Sequence, residues 1–140
     1  MTTSIDANVL VLSWTRNPEW IERTRLALRR AVDQGPICVC GPVFSELLGL
    51  PGRTAEQLEA LLTASGISIQ WELGEDVWRH AGLAYQGYVK RRKKSGGGIS
   101  RRILTDLLIG AHASVHGCQL LTMDQDIYRI SFPDLTIIRL

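Results

Sequence analysis

Asp6, Glu46, Asp106 and Asp124 are the residues of this chain best suited to chemistry. They lie far apart in sequence, yet each adjoins a predicted strand end or opens a predicted helix. Carboxylates drawn into one pocket repel each other unless a cation joins them. Oxygen ligands with room left for water and phosphate suit Mg²⁺ or Mn²⁺. The chemistry in prospect is metal-dependent hydrolysis of a phosphodiester. It requires that the elements between the four acids bring them together.

The elements read as an alternation. Thr2 to Ile5 is a predicted strand, with the residues after Asp6 as its exit. Asn17-Pro18-Glu19 starts a helix that runs to about Asp33, with Pro near N1 and an acid in the first turn. Ile37-Cys38-Val39-Cys40 is continuously apolar, the pattern of a strand buried on both faces. Gly41-Pro42 opens a short helix carrying Glu46, and Thr54-x-x-Gln57 marks a capping box. Ile67 to Trp71 is a third strand and residues 75–94 a long helix with a basic end. Thr105 to His116 is a helix, with Thr105 as N-cap and Gly117 as the C′ residue. Gln119 to Thr122 is a fourth strand, Asp124 to Tyr128 a helical turn, and Leu135 to Leu140 a fifth strand.

Strands alternating with helices predict an α/β fold: one domain over residues 1–140, with a five-stranded, mainly parallel sheet flanked by helices on both faces. Ligands of such sheets bind beyond the carboxyl ends of the strands, near the switch in strand order. Asp6 follows strand one, Glu46 sits on the helix after strand two, and Asp124 follows strand four. Asp106 starts the helix that feeds strand four. The topology herds all four to one edge.

Each acid also has an ordinary structural reading. Asp6 or Asn8 could make an Asx turn or helix cap. Glu46 could be a solvated position on a short amphipathic helix, and Asp106 a first-turn acid favoured by the helix dipole. Asp126 competes with Asp124. Other acid-based α/β sites fit less well. A haloacid-dehalogenase-type phosphatase needs Asp-x-Asp after strand one, and Asn8 holds the second position. A receiver domain needs an Asp after strand three and a Lys after strand five. No P-loop signature is present.

The bulk numbers permit this reading. The chain has 140 residues, 45% of them hydrophobic, enough for a core without disulfides. Residues 90–102 hold Lys90, Arg91, Arg92, Lys93, Lys94, Arg101 and Arg102 and no acid. That leaves nine basic residues against fourteen acidic ones elsewhere, a net of −5. Such asymmetry points to a polyanionic partner, with the basic segment contacting backbone phosphate or simply ending a solvated helix. Cys38, Cys40 and Cys118 form an odd set without a secretory signal, which predicts buried reduced thiols and a cytoplasmic protein. No apolar run reaches the length of a membrane span.

Four segments resemble a known family. Ser4-Ile5-Asp6-Ala7-Asn8-Val9-Leu10, Val43-Phe44-Ser45-Glu46-Leu47-Leu48, Asp106-Leu107-Leu108-Ile109-Gly110-Ala111-His112-Ala113 and Leu120-Leu121-Thr122-Met123-Asp124 look like the four motifs of the PIN domain. The match in order and spacing covers nearly the whole chain, and its size resembles VapC-type ribonuclease toxins. The resemblance implies a Mg²⁺- or Mn²⁺-dependent endoribonuclease, commonly a homodimer, held inactive by a cognate antitoxin protein. It implies an acidic quartet of Asp6, Glu46, Asp106 and Asp124, with Asn8 and Thr122 supporting and Asp126 as alternative to Asp124. RNA would be hydrolysed by a metal-activated water, with Asp6 and Asp106 the first-choice ligands of one ion or two.

Other residues carry less. His112 and His116 are spaced i, i+4, but no Glu follows His112 as a zinc-protease helix requires, so structural or surface roles are expected. Trp14, Trp20, Trp71 and Trp78 are expected in the core or an interface rather than as base-stacking platforms. The rival reading from another class is a non-catalytic α/β module that binds nucleic acid or a partner, with the acids merely solvated.

Overall fold

The short runs of β-branched and apolar residues form five strands, described with the whole of residues 1–140 in a computed structural model. They are β1 (Thr3–Ile5), β2 (Ile37–Cys40), β3 (Ile67–Gln70), β4 (Gln119–Thr122) and β5 (Ile137–Arg139). Every pairing is parallel, and the order is β3-β2-β1-β4-β5. The chain first builds outward from β1 to β3, then crosses back to add β4 and β5 on the other side. The order therefore switches between β1 and β4, the place where an open parallel sheet leaves a crevice at its carboxyl edge.

Seven helices cover the sheet: α1 (Ala7–Ser13), α2 (Pro18–Gln34), α3 (Gly41–Leu48), α4 (Ala55–Ala64), α5 (Glu75–Lys94), α6 (Ile103–Val115) and α7 (Asp126–Ser131). On one side α1 packs on α2 and α3, and α3 on α4; on the other, α5, α6 and α7 pack on one another. β1, β2 and β4 are buried along their whole length, as expected of strands covered on both faces. Leu107 and Ile109 of α6 and Val9 of α1 close over them in one continuous core. No helix is long and apolar enough to cross a membrane.

Local signals explain several boundaries. Asn17 Oδ1 accepts from the Glu19 and Trp20 amides, and Pro18 opens α2. The Thr54–Gln57 capping box forms in full: the Gln57 amide donates to Thr54 Oγ1 at 3.1 Å and the Thr54 amide to Gln57 Oε1 at 2.9 Å. Gly117 takes φ +65°, and the Cys118 amide donates back to the Ala113 carbonyl, ending α6 as predicted.

Four expectations need correction. The residues after Asp6 are a helix, α1, rather than a bare strand exit; Ala-Asn-Val-Leu-Val-Leu-Ser has no polar face to reveal it. Thr105 is not an N-cap. Helix α6 starts at Ile103 because Arg102 is already in the helical region and the turn closes from the Leu104 amide to the Arg101 carbonyl. The last helix begins at Asp126, since Asp124 Oδ1 accepts the Asp126 amide and so precedes the helix. Strands three and five are shorter than predicted, ending at Gln70 and starting at Ile137.

Candidate active site

Asp6 leaves β1 in extended conformation and is the residue before α1, yet its carboxylate does not cap that helix. It is turned across the strand-order switch and is buried. Its Oδ2 accepts from Thr122 Oγ1 at 2.7 Å, Tyr128 OH at 2.9 Å and Asn8 Nδ2 at 3.2 Å. Asn8, in the first turn of α1, also accepts the Met123 amide through Oδ1, tying α1 to the exit of β4. Thr122 Oγ1 in turn accepts the Asp124 amide at 3.1 Å. One hydroxyl thus links the first acid to the segment that carries the fourth.

The other acids surround this anchor. Glu46 projects from α3, which starts directly at the end of β2, and Asp106 lies in the first turn of α6. Burial pushes the Asp106 carboxyl up to about 6 from an ordinary 3.8, helped by the charges of Asp6 and Asp124. Glu46 is pushed up to about 7 from 4.5, first by desolvation of its carboxyl and then by Asp6 and Asp106. Asp6 is raised by burial against the pull of its hydroxyl donors, with Asp124 adding repulsion. Below them lies the Cys40 thiol, raised to about 11 by burial and by the charges of Asp6 and Glu46. Asp124 acts on Asp6 and Asp106 in this way, whereas Asp126, exposed at the start of α7, does not.

The charge of the cluster is uncompensated. The ion pairs of the molecule are Arg25–Glu22 and Arg79–Glu75, both on the surface and neither involving a residue of the cluster. A divalent cation fits this donor set: oxygen ligands only, mutually repelling, with the proton affinities of Asp6, Glu46 and Asp106 raised first by burial and then by that repulsion. As the side chains stand, no three His, Cys, Asp or Glu residues close around a single point. Glu46 is exposed with no side-chain hydrogen bond and Asp124 is exposed with its Oδ1 accepting the Asp126 amide, while Asp6 is fixed by its three donors.

The remaining expected residues divide by location. Arg101 and Arg102 immediately precede α6, within a turn or so of Asp106, whereas Arg91, Arg92, Lys93 and Lys94 form the last turn of α5 with Lys90 just before it; all seven are exposed. His112 and His116 lie at the opposite edge of the sheet with Cys38 and Cys118, rings 4.7 Å apart, away from the carboxylates. The three cysteines are free and buried, as predicted.

Tyr128 was not legible as a member of the site. It is buried in α7, and its phenol reaches Asp6 across 122 residues of sequence. The available signal was a large aromatic four residues past Asp124, at the position where a short helix must pack back against the sheet.

Residues 4–133 match the family model described as the PIN domain. No curated protein gives a significant sequence match. Among solved structures the chain is similar to VapBC2 from Rickettsia felis bound to a DNA fragment from their promoter. That match has 18% identity and a TM-score of 0.65, covering 100% of this chain and 99% of the other. It is similar to VapBC-1 from nontypeable Haemophilus influenzae, at 18% identity and a TM-score of 0.64 over 99% and 98%. A toxin–antitoxin complex from Klebsiella pneumoniae matches at 16% identity and a TM-score of 0.56 over 97% and 95%. At such identities the likeness is one of fold.

Proposed function

The chain belongs to the PIN-domain family, and on that premise we propose that it is a Mg²⁺- or Mn²⁺-dependent endoribonuclease, the toxin of a toxin–antitoxin pair. Members of the family are generally nucleases. The observation that carries the reading is the set of four carboxylates at the strand-order switch, with the proton affinities of Asp6, Glu46 and Asp106 raised and no cationic side chain paired to any of the four. A solvated, non-catalytic surface would have no reason to bury Asp6 and surround it with like charge.

In this reading the whole of residues 1–140 is one PIN domain. Asp6 and Asp106 hold the metal, and Glu46 and Asp124 hold a second ion or position water. Asn8, Thr122 and Tyr128 fix Asp6. Bound there, the metal would lower the pKa of a water, align it for in-line attack and offset charge on the phosphorane-like transition state. The exposed basic residues of 90–102 contact RNA phosphates outside the site. The fold shared with toxin–antitoxin complexes supports an antitoxin partner for this chain; a homodimer acting in the cytoplasm is part of the same proposal.

The test is cleavage of RNA by the purified chain, with Mg²⁺ and with chelator. Asp6→Asn should retain its circular dichroism and thermal transition yet lose activity by roughly a hundredfold or more, beyond the loss typical of outer-shell groups. A folded variant that cleaves at the parent rate overturns the assignment.

A further inference from the structure

None of the four tryptophans is in the buried core, and two are exposed. Trp71 and Trp78 are 54% and 58% exposed, so neither takes the core place that was one of its two expected locations. Trp14 and Trp20, by contrast, sit beneath guanidinium groups, those of Arg53 at 4.4 Å and Arg23 at 4.8 Å. Phe44 braces Trp71 from the core side in an edge-on contact, with ring centroids 4.8 Å apart and planes at 68°. Trp71 and Trp78 line a cleft of about 610 Å³ together with Pro42, Leu73, Thr105 and Glu46. The cleft therefore shares a wall with the carboxylate cluster, and Thr105 is the neighbour of Asp106.

The order of groups along the carboxyl edge of the sheet gives the cleft its meaning. Trp71 follows β3, Glu46 lies on the helix after β2, Asp6 follows β1, Asp124 follows β4, and Arg139 ends β5. At Asp124 a polar cavity of about 330 Å³ opens, lined by Asp124 and Asp126 and by Arg129 and Arg139, and neither arginine is in an ion pair. The edge thus runs from aromatic surface through clustered acid to free cation over four strand spacings, about 19 Å. A single-stranded nucleic acid has the matching sequence of surfaces: π-faces that stack on aromatic side chains and phosphates that meet arginine. A peptide anchored by one apolar side chain would fill the cleft and leave the arginines unanswered.

We propose that this cleft is a nucleobase subsite. Trp71 and Trp78 stack the base beside the scissile phosphate, and the backbone continues over Asp6 toward Arg129 and Arg139. The proposal rests on the endoribonuclease reading and deepens it, naming unpaired RNA as the form of substrate and giving it a path.

Binding and cleavage are separable here. In the full-length Asp6→Asn background, with Mg²⁺ present, labelled single-stranded oligonucleotides are titrated and read by anisotropy. Trp71→Ala and Trp78→Ala should each weaken binding roughly 5- to 100-fold, while Trp71→Phe and Trp78→Phe recover most of it. An abasic site at the stacked nucleotide should cost the parent a similar factor and cost the alanine variants little more. Duplex RNA should bind all variants alike. Equal binding of single strands by parent and alanine variants, or an abasic penalty undiminished in those variants, overturns the subsite. So does a loss in those variants confined to a protein partner. Metal-dependent cleavage by the unmutated chain together with tryptophan-independent binding would sink the subsite alone. Absence of both cleavage and RNA binding would sink the functional reading with it.

Discussion

Asp6 is held by three side-chain donors on one oxygen, Oδ2, from Thr122, Tyr128 and Asn8. That leaves Oδ1 without a side-chain donor and available to a cation. Donors to the charged form lower a carboxyl pKa, and here they oppose the burial that raises it. Removing one donor should therefore raise the pKa further. Tyr128→Phe keeps the buried ring and deletes the 2.9 Å hydrogen bond. Its expected cost is about 1.5–3 kcal/mol at neutral pH, the range for hydrogen bonds to charged groups, read by urea unfolding. The acid limb of its cleavage profile should move to higher pH, and more Mg²⁺ should be needed for half-maximal rate. An unmoved limb would mean that the phenol only fills space. Asp6, Asn8 and Thr122 could be picked out in the sequence because they fall at strand ends and inside motif-like runs. Tyr128 could not, since its partner is 122 residues away and a short helix has too few turns to show a period.

Helix α6 connects the site to the rest of the fold. Asp106 stands at its start, and Gly110 one turn later lies against α7. A Cβ on Gly110 would come within 2.4 Å of Phe132 Cε2 and 2.9 Å of Tyr128 Cδ1. Gly110→Ala would gain about 1 kcal/mol of helix propensity. It should lose more by overpacking, for a net destabilisation of about 1–2 kcal/mol, and should displace the phenol from Asp6. Gly82→Ala on α5, where nothing lies within 4 Å, should instead stabilise by about 0.5–1 kcal/mol. Denaturant midpoints separate the two, and cleavage rate should fall with Gly110→Ala only. At this scale the sequence was readable where caps and periodicity speak, as in α2, α4 and the full span of α5. It was opaque for α1, whose apolar residues are set by burial against β4 and α3 rather than by an amphipathic pattern. Glycine 110 shows the same limit, because its cause is a contact made by residues after β4.

The molecule as a whole folds at a cost in like-charge repulsion that it does not offset with lysine or arginine. Asp106 at about 6 and Glu46 at about 7 both bind protons more tightly in the fold than at their ordinary 3.8 and 4.5. Stability from these groups is therefore fully present below about pH 4 and lost as pH rises through 6 and 7. His112, lowered to about 4 by burial and His116, works the other way, losing stability as pH falls below its ordinary 6.5. The neighbouring thiols Cys38 and Cys118 act on each other, Cys38 being raised and Cys118 lowered, so their pulls on stability oppose. Comparing Asp106→Asn with the parent cancels these contributions, since none of these groups is altered. With chelator present, Asp106→Asn should gain on the parent as pH rises from 4, standing part of the way above it at pH 5 and furthest above it at pH 8. Adding Mg²⁺ should reverse the order at pH 8: saturation at a hundred times Kd is worth about 2.7 kcal/mol to the parent, several degrees in Tm for a domain of this size. The variant should respond weakly. At pH 5, where Glu46 and Asp106 are mostly protonated, Mg²⁺ should move neither. An equal Mg²⁺ response in both proteins at pH 8 would show that the ion binds elsewhere. The sheet order β3-β2-β1-β4-β5 would then gather these acids without assigning them a cation.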